Sequence, residues 1–309
     1  MNDHTPGHPP SHGTDFMPLG GIRIILTTLG GIWGNRTYGS RLRLLLDYLR
    51  IGAAYARAGW RTTEVRTVHC AKFRVSYRHP RTIFTIFKEI FIQEDYYFED
   101  LPKQPFIIDC GANIGMATLF FKHLRPHAEI LAIEPSPNSL DLLRRNLREN
   151  GIEGVRVVEA ALSHWDGKAM YMEEFTSGGS NRLSNDGQIS VKTLRLTTLI
   201  DRPVDLLKVD VEGMDVVVLE ELERTGKFDL VVRVVVEYHP HSMSELYALS
   251  ILLALFERNG FRYSIDARSS RPIDACQSVT VRAWRAQSKF LRDHGCVDTS
   301  RELPMEVRV

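Results

Sequence analysis

The segment Phe106-Ile-Ile-Asp109-Cys-Gly111-Ala-Asn113-Ile-Gly115 constrains this chain more than any other. Three apolar residues ending in an acid read as a short parallel strand buried on both faces. A parallel strand leads into a crossover, so the chain must turn sharply into a helix. Gly111 and Gly115 permit that turn, because glycine takes left-handed conformations and lets backbone amides come close to a ligand. A second apolar run, Ile130-Leu-Ala-Ile, ends in Glu134-Pro135, with Glu134 lying 19 residues after Gly115. Strand, glycine turn, helix, strand and acid in that order are the layout of one nucleoside-binding βαβ unit in an α/β sheet.

The acids say which nucleoside. Asp109 ends the first strand, where ligands of open α/β sheets bind, and the Glu134 carboxylate is able to accept hydrogen bonds from both ribose hydroxyls. Two acids beside one ligand disfavour a polyphosphate. The turn also reads G-x-x-x-G, with Asn113 where a dinucleotide site wants a further glycine. Both features favour S-adenosylmethionine, which carries no phosphate, over NAD. An NAD-dependent oxidoreductase is the alternative enzyme, and a non-catalytic nucleoside-binding subunit the alternative outside catalysis. The cofactor-site residues expected are Asp109, Gly111, Gly115 and Glu134, with Pro135 beside it. Ala161 and Leu162, which follow the third strand, are expected to flank the adenine.

With 309 residues, 43% apolar and 25% charged, the chain suffices for one large domain with an accessory segment. The net charge of +1 offers no electrostatic footprint for nucleic acid. Four cysteines, Cys70, Cys110, Cys276 and Cys296, form no C-x-x-C pair, which argues against zinc and disulfides and for a reduced, cytoplasmic compartment. No signal peptide opens the chain, and no run approaches the roughly 20 apolar residues of a membrane span. Residues 1–15, rich in His, Pro and Gly, are expected to be a disordered tail. Residues 16–80 form the accessory segment, 81–290 the main domain and 291–309 a second tail. Within the accessory segment, residues 40–58 predict an amphipathic, arginine-bearing helix. Its face suits docking on the main domain, a homodimer contact, or peripheral contact with a membrane surface or lipid-linked substrate. Residues 63–77 predict an antiparallel pair, and Arg81–Phe98 a helix and loop folded over the ligand, with Glu89 and Tyr96 near the amino-acid end of the cofactor.

Beyond Glu134, Asn138–Asn150 carries leucines at helical spacing and ends at Gly151, and Val155–Ala160 reads as the third strand. A β excursion over 168–196 is interrupted by Ser177-Gly-Gly-Ser-Asn181. The second motif, Asp205-Leu-Leu-Lys208-Val-Asp210-Val-Glu212-Gly213, is a buried strand ending in acids, and Leu230–Val236 a fifth strand ending in Glu237-Tyr-His239. The fourth strand neighbours the first in a doubly wound sheet, so Asp210, Glu212, Glu237 and His239 are expected to converge on one pocket. Glu212 or His239 would then act as general base, with Asp210 orienting it. Two other readings stand beside this one: a divalent cation held by Asp210, Glu212 and Glu237, or a purely structural pairing of Lys208 with Glu237 while Glu212 caps the next helix. A helix over Ser244–Asn259 and two strands, Gly260–Asp266 and Ser278–Trp284, would close the sheet as an antiparallel hairpin.

Together the Ile108–Gly115 turn, Glu134-Pro-Ser-Pro-Asn138, Thr198-Leu199, Leu207-Lys-Val-Asp-Val-Glu-Gly213 and Val236-Glu-Tyr-His239 resemble the FkbM family of S-adenosylmethionine-dependent methyltransferases. The resemblance spans about residues 85–265, and the Lys-x-Asp-x-Glu-Gly element is its most specific part. It implies a Rossmann-like, seven-stranded methyltransferase sheet with helices on both faces. It also implies O-methylation of a hydroxyl on a sugar, glycolipid or polyketide-type product, with Asp109, Gly111, Asn113, Gly115 and Glu134 as cofactor-site positions. Met214-Asp215 departs from the small residue and Glu that the family often shows, although Asp keeps the charge at the helix start.

Overall fold

The computed structural model describes residues 18–58, 64–173, 181–238, 249–267 and 279–285, with side chains from residue 26 onward. Two helices, α1 (Pro18–Gly34) and α2 (Arg41–Ala58), precede the antiparallel hairpin β1 (Arg66–Cys70) and β2 (Phe73–Tyr77). Helix α3 (Pro80–Phe87) follows, running into a π-helical turn over Lys88–Ile92. The first βαβ unit is β3 (Phe106–Cys110), α4 (Met116–Leu124) and β4 (Glu129–Glu134). It continues through α5 (Pro137–Glu149) to β5 (Val155–Glu159).

A smaller sheet comes next, from β6 (Ala161–Leu162), β7 (Gly167–Met172), β8 (Arg182–Leu183) and β9 (Ile189–Leu194). The chain then returns to the main sheet as β10 (Leu206–Val209), α6 (Asp215–Arg224), β11 (Arg233–Tyr238) and α7 (Leu249–Arg258). It closes with β12 (Phe261–Asp266) and β13 (Val279–Arg285).

The main sheet has seven strands in the order β12-β13-β11-β10-β3-β4-β5. Strand β13 runs antiparallel to both neighbours, and the pairs from β11 through β5 are parallel. The expected closing hairpin is therefore present. Alternation along the strands explains the helices on both faces. Ile107, Ile130 and Leu206 enter a core with α4, while their neighbours Ile108, Leu131 and Leu207 enter a second core with α6 and α7. The first core also takes Ile32, Leu44 and Val68, so side chains from the segment before residue 81 pack in the same core as the sheet.

Local signals place the helices. Ser136 caps α5 by accepting from Ser139 N at 3.1 Å, Pro137 occupies its first turn, and Leu140, Leu143 and Leu147 are buried. Gly151, at φ 60°, ends it as expected. Fully buried Asn146 donates to Ile114 O at 2.8 Å and Ser76 O at 3.1 Å, and accepts from Ser76 N at 2.7 Å. One amide thereby ties the first hairpin to the glycine turn. The sheet reverses its winding between β3 and β10, and their carboxyl ends, with that of β4, frame the crevice where such sheets bind ligands.

Candidate active site

The glycine turn is built as its sequence demands. Gly111, Asn113 and Gly115 take φ of 80°, 48° and 91°. A Cβ on Gly111 would lie 1.8 Å from the carbonyl oxygen of Asp210, and one on Gly115 2.6 Å from Leu143 Cδ1. The first closeness locks the turn against the end of β10, and the second seats α4 on α5. Asn113 is held left-handed by the acid expected to bind ribose: Glu134 accepts from Asn113 N at 2.8 Å with one oxygen and from Ser136 N at 2.9 Å with the other. Burial pushes the Glu134 carboxyl up to about 7, against the pull of those two backbone bonds.

Glu134 faces a cavity of about 630 Å³, open to solvent. Its walls include Gly111, Asn113, Glu134 and Pro135 from the first unit, Ala161 and Leu162 from β6, and Asp210 and Glu212 beyond β10. Two cofactor-site candidates lie elsewhere. Gly115 sits behind the wall as the N-cap of α4. Asp109 is fully buried beneath the turn, where it accepts from Thr118 Oγ1 at 2.7 Å and pairs with Lys208 Nζ at 3.3 Å.

Lys208 organises that space. Its ammonium donates to Gly111 O at 2.7 Å and Cys110 O at 3.2 Å, and lies 3.4 Å from Asp210. Burial pushes this ammonium down, but Asp210, Asp109 and Glu237 more than offset it and hold its pKa above the ordinary value. Lys208 stands opposite Asp109 in the β10–β3 register and opposite Val235 in the β10–β11 register. In place of the alternative pairing with Glu237, Lys208 makes ion pairs to Asp109 and Asp210, and Glu237 acts on the ammonium only at longer range. Glu212 does not cap α6 either. Asp215, the first residue of α6, instead accepts from the loop amides Val211 N at 2.8 Å and Gly213 N at 3.2 Å and so fixes the turn ahead of the helix, while Glu212 takes φ 49° and lines the cavity.

The sequence matches the FkbM methyltransferase domain over residues 109–263, the stretch that carries these contacts. The chain belongs to the FkbM methyltransferase family. Methyltransferase sdnD of Sordaria araneosa is 31% identical over 236 residues, 64% of this chain and 88% of that protein. Methyltransferase 1 of Beauveria bassiana is 30% identical over 216 residues, 61% and 85% of the two chains. The 2-O-methyltransferase NoeI of Sinorhizobium fredii is 30% identical over 134 residues, 36% and 54%.

In this FkbM methyltransferase the remaining expected acids gather at the end of β11. Tyr96 donates to Glu237 Oε2 at 2.9 Å, and its ring lies 5.6 Å from the Lys208 ammonium. Burial, then Glu237 and Asp95, push the Glu89 carboxyl well up. His239 lies outside the described residues. Among those described, no three His, Cys, Asp or Glu side chains come together to hold a metal. Asp210 pairs with Lys208 and Glu237 accepts from Tyr96, and the described residues give the divalent-cation reading no support.

Side chains on the cavity wall that escape sequence reasoning include Tyr171 of β7, Leu183 of β8 and Ser139 of α5. Tyr171 and Leu183 arrive there by pairing across the small sheet. Their only local signal is alternation within the β excursion.

Proposed function

We propose that this methyltransferase moves the methyl group of S-adenosylmethionine to a hydroxyl oxygen of a small acceptor, of the sugar, glycolipid or polyketide-like class. The observation that carries the cofactor is Glu134. Its two oxygens are aimed by backbone N–H groups at the end of β4, inside a cavity that also holds Asp210 and Glu212. Ribose hydroxyls suit that carboxylate, Ala161 and Leu162 suit an adenine face, and the further acids suit a sulfonium while repelling a polyphosphate. The cofactor supplies an already activated methyl group. Oxygen as the acceptor atom is supported by the relative named a 2-O-methyltransferase.

The protein's part is to position the hydroxyl and take its proton. Glu212 and His239 are the proposed bases, and Asp210, held by Lys208, the proposed orienting acid. Buried thiols at Cys70 and Cys110, both free, support residence in the reducing cytoplasm.

Calorimetric titration with S-adenosylmethionine, S-adenosylhomocysteine and NAD, repeated on Glu134→Ala, tests the cofactor. Both sulfur nucleosides should bind near micromolar, about −8 kcal/mol, with affinity reduced in the variant and no NAD binding. NAD binding without either sulfur nucleoside would refute the reading. Glu212→Gln and His239→Ala should each lower turnover at least about a hundredfold at little cost in cofactor affinity.

A further inference from the structure

We propose that the outer face of the α1–α2 pair docks the protein on an anionic lipid surface. The buried sides of these helices are accounted for: Ile32, Leu44 and Ile51 belong to the main core. Their other sides are apolar as well. Leu26, Leu29 and Trp33 of α1 are 63%, 43% and 71% exposed, and Leu42, Leu46 and Leu49 of α2 are 66%, 50% and 55% exposed. Each set has the spacing of a single helical stripe. The Arg41 guanidinium lies 5.9 Å over the Trp33 ring, which brings the two stripes side by side.

Charge decides what such a face meets. Residues 18–58 contain six arginines and one acid, Asp47, in a chain whose net charge is only +1. Asp47 is buried, accepting from Ala71 N at 3.0 Å and from Tyr38. Arg41, Arg43, Arg50 and Arg57 are exposed, and Asp47 is the partner of Arg50 alone among them. At about 100° per residue, Arg41 falls on one flank of the leucine stripe and Arg43, Arg50 and Arg57 on the other. Arginines flanking an apolar stripe can keep their heads at phosphate height while the leucines enter the acyl boundary. A second copy of this chain would bring arginine against arginine. Nucleic acid would leave the leucines and Trp33 in water. No helix among the described residues is long and apolar enough to cross a membrane, so this is attachment to one leaflet. The proposal is independent of the methyl-transfer reading.

The full-length protein is sedimented with vesicles of phosphatidylcholine alone and of phosphatidylcholine mixed with phosphatidylglycerol. Binding is expected to the anionic vesicles only and to weaken with salt. Arg41→Gln/Arg43→Gln should lower the partition coefficient about thirtyfold. Leu42→Ser/Leu46→Ser/Leu49→Ser should abolish binding while circular dichroism and melting stay as in the parent, since these side chains face solvent. Quenching by brominated lipid should fall in Trp33→Phe. Failure of the parent to bind anionic vesicles would overturn the proposal, as would parental binding by the leucine variant. So would a dimer in analytical ultracentrifugation that the leucine variant disperses, since a second copy would then cover the face.

Discussion

If Glu134 binds ribose as proposed, its titration should link stability and cofactor affinity with opposite signs, and the opposition tests the site directly. The carboxyl has its ordinary value, 4.5, in the unfolded chain and about 7 in the folded one. The folded protein therefore keeps a proton that the unfolded chain releases. This stabilising contribution is full below pH ~4.5 and is lost as pH rises through ~7, and it amounts to about 3 kcal/mol. Ribose prefers the ionised form, so affinity should run the other way. If only that form binds, about one molecule in ten is competent at pH ~6, and the apparent Kd is about tenfold weaker than its high-pH limit.

Calorimetry with S-adenosylhomocysteine between pH ~5.5 and ~8, alongside thermal melts of the ligand-free protein, measures both slopes. Glu134→Gln should flatten them together, because a carboxamide does not titrate in this range. It should also cost stability. A carboxylate accepts from both Asn113 N and Ser136 N, whereas an amide accepts at one end and presents N–H to N–H at the other, a penalty of about 1–3 kcal/mol. A wild-type Kd that stays level across this range, or a Gln variant that keeps the wild-type slopes, would refute the reasoning.

Gly111→Ala drives a methyl to 1.8 Å from the Asp210 carbonyl, backbone against backbone at φ 80°, so ligand binding should be lost and Tm should fall by several degrees in differential scanning calorimetry. Lys208→Met strips Asp109 of its ammonium partner at a buried site; chemical denaturation should show a loss of about 3–5 kcal/mol. Asn146→Ala leaves Ser76 N, Ser76 O and Ile114 O without their partner, and the same measurement should register about 2–4 kcal/mol. In that variant, hydrogen exchange should rise first in the β1–β2 hairpin, which the amide anchors.

The parts of this site that the sequence revealed are those with a local physical cause. A turn needing left-handed backbone selects glycine at 111 and 115, and the acid that ends a buried strand at 134 reaches the cavity while accepting from Asn113 N and Ser136 N. The same logic applied to Asp109 leads elsewhere, because a strand-end acid can be claimed from below. Its claimants, Thr118 and Lys208, stand 9 and 99 residues away, and only strand register brings Lys208 opposite it. Register likewise sets Lys208 directly opposite Asp109, with Glu237 two residues beyond its partner Val235 on β11. Tyr171 and Leu183 belong to a small sheet whose pairing spans a dozen residues, so nothing in their own neighbourhoods announces a cavity wall.

Lys208 also explains why two motifs lying about a hundred residues apart act as a single physical unit. Its ammonium satisfies the carbonyls of Cys110 and Gly111, neutralises Asp109 beneath the turn and holds Asp210 at the cavity wall. Gly111 in turn must lack a side chain because the Asp210 carbonyl occupies that space. The glycine turn therefore cannot take its shape until β10 has docked beside β3, and β10 cannot bury an ammonium until the turn offers its carbonyls. Each motif is unsatisfied alone. Replacing Lys208 should accordingly disturb the Asn113–Glu134 contact one strand away, and ribose affinity should fall even though Lys208 does not line the cavity.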